Sequence, residues 1–394
     1  MPSAQSETET TVPAEALLAY VHDHAGDYVD FLCRLARAES PSTDPEAQGE
    51  VQRLMAEALA DLDFAVMHLP GEDTGGSLYA RPEQRSAEAS SQLLLGHGDT
   101  VWPTGTLDTM PVTLDGERLR GPGVFDMKAG LTSIVFALRA LAAHDLTPAV
   151  TPLVLVTSDE EIGSPESRVH IERLAGVAER VYVLEPALGL DGHIKTARKG
   201  TGEMTIIVRP TEASAESNVV LELSQLVQHL YELHEPERGV TINVGTIDGH
   251  QIDDDTGTSY GQLVVDVRVP THEAADEVRA AIQGIEARTS GVTVEVRGGL
   301  ERPPLERTPG NRRLWTLVQR LGRHLGLELE EGRAGGASDG NFTSQHTPTL
   351  DGLGAVGDGA HADHEYIHVE RTLDRCALLA LLLLASPLSQ DPPA

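Results

Sequence analysis

The sequence predicts an α/β protein in which a mixed, mostly parallel sheet flanked by helices carries an inserted, smaller ferredoxin-like α+β domain. Three observations predict it. The runs Gln92–Leu95, Thr151–Thr157 and Arg180–Leu184 are apolar without alternation, as strands buried on both faces of a parallel sheet are. Helix-like segments separate these runs. From about Thr201 to Arg307 the pattern changes to strand–helix–strand–strand–helix–strand, the order of a ferredoxin-like domain. The expected boundaries are therefore 1–200 and 308–394 for a discontinuous first domain and 201–307 for the insertion. At 394 residues, two domains are expected on size alone.

In chain order, Pro13–Ala38 and Asp44–Leu62 look helical, and strand and turn patterns follow through Leu78-Tyr79-Ala80. A polar, serine-rich loop, Arg81–Ser91, precedes the strand at Gln92. The turn Gly121-Pro122-Gly123 leads to Asp126, and Met127–Leu138 reads as a helix with its apolar face on the sheet. That puts Asp126 at a helix start, where the dipole favours a charged carboxylate. Within the insertion we expect strands at Met204–Val208, Val240–Val244, Gln262–Val269 and Val292–Val296, with helices at Val219–Leu233 and Glu273–Arg288. A helix near Asn311–Leu325 returns the chain to the first domain.

The formal net charge is −31, from 61 acidic against 30 basic residues, of which three are lysines. So negative a surface should repel nucleic acid and anionic membranes, and points to a salt-adapted source. Cys33 and Cys376 lie in apolar helix-like segments, which implies buried thiols rather than a disulfide framework or a cysteine metal site. Met1–Pro13 lacks the pattern of a secretory signal, and the apolar run Cys376–Ala385 is too short to span a bilayer. A cytoplasmic protein is expected.

Five acidic and histidine clusters stand where strands or turns end: Gly96-His97-Gly98-Asp99, Gly121–Lys128 around Asp126, Ser158-Asp159-Glu160-Glu161, Leu184-Glu185-Pro186, and Gly359-Ala360-His361-Ala362-Asp363-His364-Glu365-Tyr366. In open α/β sheets functional groups gather beyond the carboxyl ends of strands, so these side chains can converge. His97 with Asp99 suits a metal ligand and the carboxylate that orients its ring. Glu160 and Glu161 suit a general base beside a ligand, because adjacent buried carboxylates need a compensating cation. Each cluster alone has a plainer reading, such as a helix cap for Asp126 or a solvated acidic loop for the glutamate pair. Together they can hold two metal ions and a base.

Taken in this order, the clusters resemble the di-zinc M20 metallopeptidase family, most closely its carboxypeptidase G2-like, or glutamate carboxypeptidase, branch, from about the first helix to the C-terminus. The resemblance implies that His97 binds one zinc, Asp126 bridges both, and Glu161 binds the other. Glu185 would complete the first site and His361 the second, with Asp99 behind His97 and Glu160 as general base. His364 and His368 compete for the last ligand place, and His361 is chosen for its register before Glu365-Tyr366. Two zinc ions per chain are expected, and the same ligands suit cobalt or manganese. The resemblance makes the insertion a lid that closes on substrate and forms a homodimer contact.

Arg333, in Arg333-Ala334-Gly335-Gly336, resembles the family segment that holds a substrate carboxylate, and Arg268 is a lesser candidate. A guanidinium can donate two parallel hydrogen bonds to a carboxylate. The chain departs from the family in two lid segments. Arg209–Asn218 lacks the expected histidine that stabilises the oxyanion, and Gly249–Thr256 carries an acidic run where relatives often have Gly-Gly-Thr and an asparagine. His250 is one possible substitute donor. The expected activity is hydrolysis of an amide bond that releases a C-terminal amino acid, with glutamate as a candidate, from an N-acyl or peptide substrate. The alternatives are an N-acyl amino acid deacylase of the acetylornithine deacetylase or succinyl-diaminopimelate desuccinylase type, or a non-catalytic metal-binding scaffold with an impaired lid.

Overall fold

The computed structural model describes residues 4–86, 89–211, 218–250 and 260–388, with the backbone alone for 4–12 and 250. The chain forms two compact units, one of Met1–Thr196, Arg307–Gly332 and Ser338–Ala394, the other of Ala197–Glu306 and Arg333–Ala337.

The sheet of the first unit runs, edge to edge, Phe64–Leu69, Ser77–Pro82, Thr151–Thr157, Ser91–His97, Ala178–Val183, Thr349–Leu350. The first two strands pair antiparallel and the last four are mutually parallel. Every residue of Ser91–His97 and of Thr151–Thr157 is buried. The reason is visible in the alternation of side chains. Leu94, Val154, Val156 and Tyr182 join the larger core, built with the helices Ala25–Arg37, Gly49–Ala60, Ala129–Ala143, Pro309–His324 and Val369–Leu383. Leu93, Leu95, Leu153, Leu155, Val181 and Val183 join a smaller core with Ile171 and Phe342. Cys33 and Cys376 are buried free thiols.

Two local expectations are corrected. The first helical stretch is broken at His24 into Ala4–Asp23 and Ala25–Arg37. The helix after Asp126 begins only at Ala129. Asp126 (φ −116°, ψ 97°) and Met127 (φ −131°, ψ 36°) are not helical, and their peptide bond is cis. Asp126 is therefore not a helix-start residue, because its N–H is taken by a side chain far along the chain (below) rather than by a helical carbonyl. The helix that follows packs closely on the sheet: a Cβ at Gly130 would lie 2.0 Å from the carbonyl oxygen of Leu184.

The second unit is a four-stranded antiparallel sheet in the order Thr241–His250, Tyr260–Val269, Gly200–Pro210, Val292–Arg302. In the strand Tyr260–Val269 the alternate residues Leu263, Val265, Val267 and Val269 share a core with Leu223, Leu226 and Leu230 of the helix Val219–Glu232 and with Ala274, Val278 and Ile282 of His272–Gln283. Asn218 and Thr271 cap these helices by accepting the N–H of Leu221 (2.8 Å) and of Ala274 (3.2 Å). Strand order and connectivity are ferredoxin-like. Among the described residues, no helix is long and apolar enough to cross a membrane.

Candidate metal centre

Sheet register brings three of the clusters to one level. His97 is paired with Thr157 and Leu95 with Val183, so the turn Ser158–Glu161 and the step Leu184-Glu185 leave the sheet beside His97. Glu160 and Glu161 open a short 3₁₀ turn whose N–H groups point at Asp99: Glu160 donates to Oδ1 (3.3 Å) and Glu161 to Oδ2 (3.2 Å). The Ser42 hydroxyl donates to the same Oδ2 at 2.7 Å. Asp99 is wholly buried and thus ties the glutamate pair to the His97 strand. Its carboxylate was expected to orient His97. The ring Nδ1 lies 3.0 Å from the main-chain oxygen of Asp99 and 3.4 Å from its Oδ1, so the carbonyl is the nearer partner, the carboxylate being engaged by Ser42 and the two amides.

The remaining ligand candidates come from loops. Asp126 turns its two oxygens to different histidines: Oδ1 is 3.4 Å from His97 Nε2, and Oδ2 is 3.4 Å from His361 Nε2. Glu185 Oε1 is 3.5 Å from His97 Nε2, and Glu161 Oε2 is 3.1 Å from His361 Nε2. Ligand atoms of His97, Asp126 and Glu161 all fall within 4.8 Å of one another, and so do those of His97, Glu160 and Glu185. Glu160 is thus near enough to the His97 side to act on anything bound there. His361 sits in the left-handed region (φ 61°), an uncommon conformation for a residue with a side chain. Gly359 (φ 85°) permits the close turn, since a Cβ there would meet the Glu365 backbone at 2.9 Å. Of the competing histidines, the exposed His364 lies 3.6 Å from Asp363, and His368 packs edge-on against Tyr366.

Charge at this site is strongly coupled. Burial works against a cation at His97, but the carboxylates of Asp126, Asp99 and Glu185 outweigh it and hold the imidazole well above its usual pKa. Burial of Asp126 is likewise outweighed by His361 and His97, which keep its carboxyl far below the usual range. Burial raises Glu161, and the Asp126 charge adds to this against the pull of His361. Asp126 and Glu161 raise His361 to about 10. The cluster is an acidic pocket that demands positive charge. His97 Nε2, Asp126 Oδ1 and Glu161 Oε1 are buried with no hydrogen-bond partner among the described residues, although buried polar atoms are nearly always paired. All-nitrogen-and-oxygen donors converging in this way fit divalent metal ions.

The two arginine candidates belong to the second unit. Arg268 donates to Asp266 Oδ1 (3.1 Å) and to the Gly335 carbonyl oxygen (3.4 Å), and Arg333 is exposed. Lys199, which sequence reasoning passed over, stands with them: burial lowers its pKa, and the charges of Arg268 and Arg333 lower it further. Three cations gathered in so acidic a chain are a signal that residue order could not give. Of the two atypical lid segments, Glu212–Ser217 and Gln251–Ser259, with the side chain of His250, lie outside the described residues. Ser42 and Trp102 likewise carry no signal in the sequence, and Glu365 stands there only as one residue of the Gly359–Tyr366 cluster.

The profile of peptidase family M20/M25/M40 matches residues 93–385. Carboxypeptidase G2 from Pseudomonas sp. (strain RS-16) is 26% identical over 370 residues, covering 89% of this chain and 87% of its own. Succinyl-diaminopimelate desuccinylase from Acidovorax ebreus (strain TPSY) is 28% identical over 388 residues, covering 86% of this chain and 96% of its own. The crystal structure of aminopeptidase PepT from Bacillus cereus ATCC 10987 superposes with a TM-score of 0.74 at 19% identity, covering 93% of this chain and 99% of that one, a likeness of fold. With a match that spans every cluster from His97 to His361, the chain belongs to peptidase family M20/M25/M40.

Proposed function

We propose that this hydrolase is a two-metal amidohydrolase that releases a C-terminal amino acid, with glutamate as the leading candidate, from an N-acyl or peptide substrate. The observation that carries this reading is the placement of Asp126, one oxygen toward His97 and the other toward His361. In this reading His97, Asp126 and Glu185 would hold one ion and Asp126, Glu161 and His361 the other, zinc being expected, with cobalt or manganese also suited. Two such ions, when bound, would polarise the scissile carbonyl and make a water acidic enough to lose a proton near neutral pH. Glu160 would serve as the general base that takes up a water proton and delivers it to the leaving nitrogen. Asp99 keeps His97 and the glutamate turn in place. Arg333, with Arg268, pairs with the substrate carboxylate.

The inserted unit serves as lid and as the contact of a homodimer, supported by the exposed apolar residues Val220, Leu221 and Tyr231 on one of its helices. The protein works in the cytoplasm on small molecules rather than on nucleic acid or membranes. A deacylase acting on N-succinyl or N-acetyl amino acids is the second reading, favoured by the 28% identity to a succinyl-diaminopimelate desuccinylase.

The test is hydrolysis of a panel of N-acyl and peptidyl glutamates, beside N-succinyl and N-acetyl diamino acids, by zinc-loaded protein and its Glu160→Gln variant. Turnover of the glutamate series that disappears in the variant supports the carboxypeptidase reading, and turnover confined to the second series supports the deacylase. No turnover on either, with metal bound, leaves the scaffold reading in possession.

A further inference from the structure

One buried carboxylate near the centre is not among the ligand candidates. Glu365 is 1% exposed, and both of its oxygens are engaged. Oε2 accepts from the Trp102 indole N–H (2.9 Å) and the Gly123 N–H (2.9 Å), and Oε1 accepts from the N–H groups of Phe125 (2.8 Å) and Asp126 (3.0 Å). Its main-chain oxygen accepts from Gly121 N–H at 3.3 Å. One residue therefore collects the N–H groups of Gly121, Gly123, Phe125 and Asp126, in a turn that forms no regular helix and has few other ways to satisfy them. Four donors, from Trp102, Gly123, Phe125 and Asp126, occupy both oxygens, so a ligand role would require breaking hydrogen bonds that satisfy buried groups.

We propose that Glu365 is the positioning residue of the shared Asp126: by gripping the 121–126 turn it aims the two Asp126 oxygens at His97 and His361. This rests on the two-metal reading of the site. Glu365 follows His361 by four residues, and the intervening loop closes through Ala362 N–H to Gly359 O (2.9 Å) and Glu365 N–H to Ala362 O (3.0 Å). A single loop thus presents one histidine and fixes the carboxylate that the histidine faces. Asp99 acts comparably on the other side, tying the glutamate turn to the His97 strand. Glutamine at 365 would keep the volume but offer an NH₂ to backbone donors, losing two of the four bonds and setting donor against donor.

The test is cobalt(II) titration of the metal-stripped full chain, read by visible d–d absorption, for wild type, Glu365→Gln and Glu365→Asp, with melting curves of each metal-free protein. The expected result is that Glu365→Gln binds cobalt about 10- to 100-fold more weakly, the loss typical when an outer partner of a metal ligand is removed, and that the band shape of the bound form changes. Glu365→Asp, which keeps the charge one methylene short, should fall between it and wild type. A folded Glu365→Gln with wild-type affinity and spectrum overturns the proposal, as does a lowered melting temperature with an unchanged cobalt spectrum, the mark of a merely structural role. If the glutamine variant does not fold, Glu365→Asp decides: a wild-type spectrum and affinity there overturn the proposal, and an altered spectrum with weaker binding supports it. Wild type that takes up no cobalt would bring down the two-metal reading itself, and this inference with it.

Discussion

His97 and His361 face opposite oxygens of one carboxylate at the same distance, 3.4 Å, yet they are held by opposite means. His97 ends a buried strand and its side chain is 1% exposed, whereas that of His361 is 52% exposed on a loop with a left-handed backbone. The first is placed by sheet register, which cannot slip by one residue without turning every side chain of the strand to the wrong face. The second is placed by a handful of hydrogen bonds. An ion on the His97 side should therefore be the more tightly held, and one on the His361 side the more easily exchanged.

The largest effect expected is at Glu160, which lies on the better-fixed side. Glu160→Gln should lower kcat by about 10²- to 10⁴-fold, the usual worth of a general base, while metal content measured by mass spectrometry stays at the wild-type level. Loss of metal would instead make Glu160 a ligand of the His97 side, as its proximity to His97 and Glu185 allows. Next, the two histidines can be compared directly. His97→Ala should weaken metal retention on dialysis against a chelator at least about tenfold more than His361→Ala does. Equal losses would break the comparison.

Ser42→Ala should destabilise the protein by about 1.5–3 kcal/mol in denaturant unfolding, because it removes a hydrogen bond to a buried charge; a change near zero would mean that Asp99 is held by the two amides alone. The smallest effect belongs to Arg268, which is exposed and already paired with Asp266. Arg268→Ala should raise KM by about two- to fivefold, the scale of an exposed ion pair, with kcat unchanged. A large fall in kcat would move Arg268 into the reaction itself.

What the sequence disclosed follows the same division. The strands were legible because both of their faces are buried, so Thr151–Thr157 reads as one apolar run, and the clusters at strand ends then had to converge. Loop geometry was not legible. Met127-Lys128-Ala129 has helix-compatible residues, and the Asp126 N–H is instead bonded to Glu365, 239 positions away. The partner of the Asp99 carboxylate, Ser42, lies 57 positions upstream and belongs to no recognisable pattern. Glu365 was hidden by composition, one glutamate among 61 acidic residues. Lys199 could be linked to Arg268 and Arg333 only once strands and turn were folded together.

The short segment Arg333–Ala337 has a practical consequence for anyone exchanging parts between relatives. It is separated in sequence from Ala197–Glu306 but grouped with it in space. It is stitched there by Lys199 N–H to Ala334 O (3.1 Å), by Arg268 to Gly335, and by Arg198 to Gly336 and Ala337. A chimaera that transplants only the contiguous insertion would leave the native Arg333 facing foreign partners for these bonds. The exchangeable module is a two-piece cassette, and its smaller piece carries the arginine proposed to read the substrate.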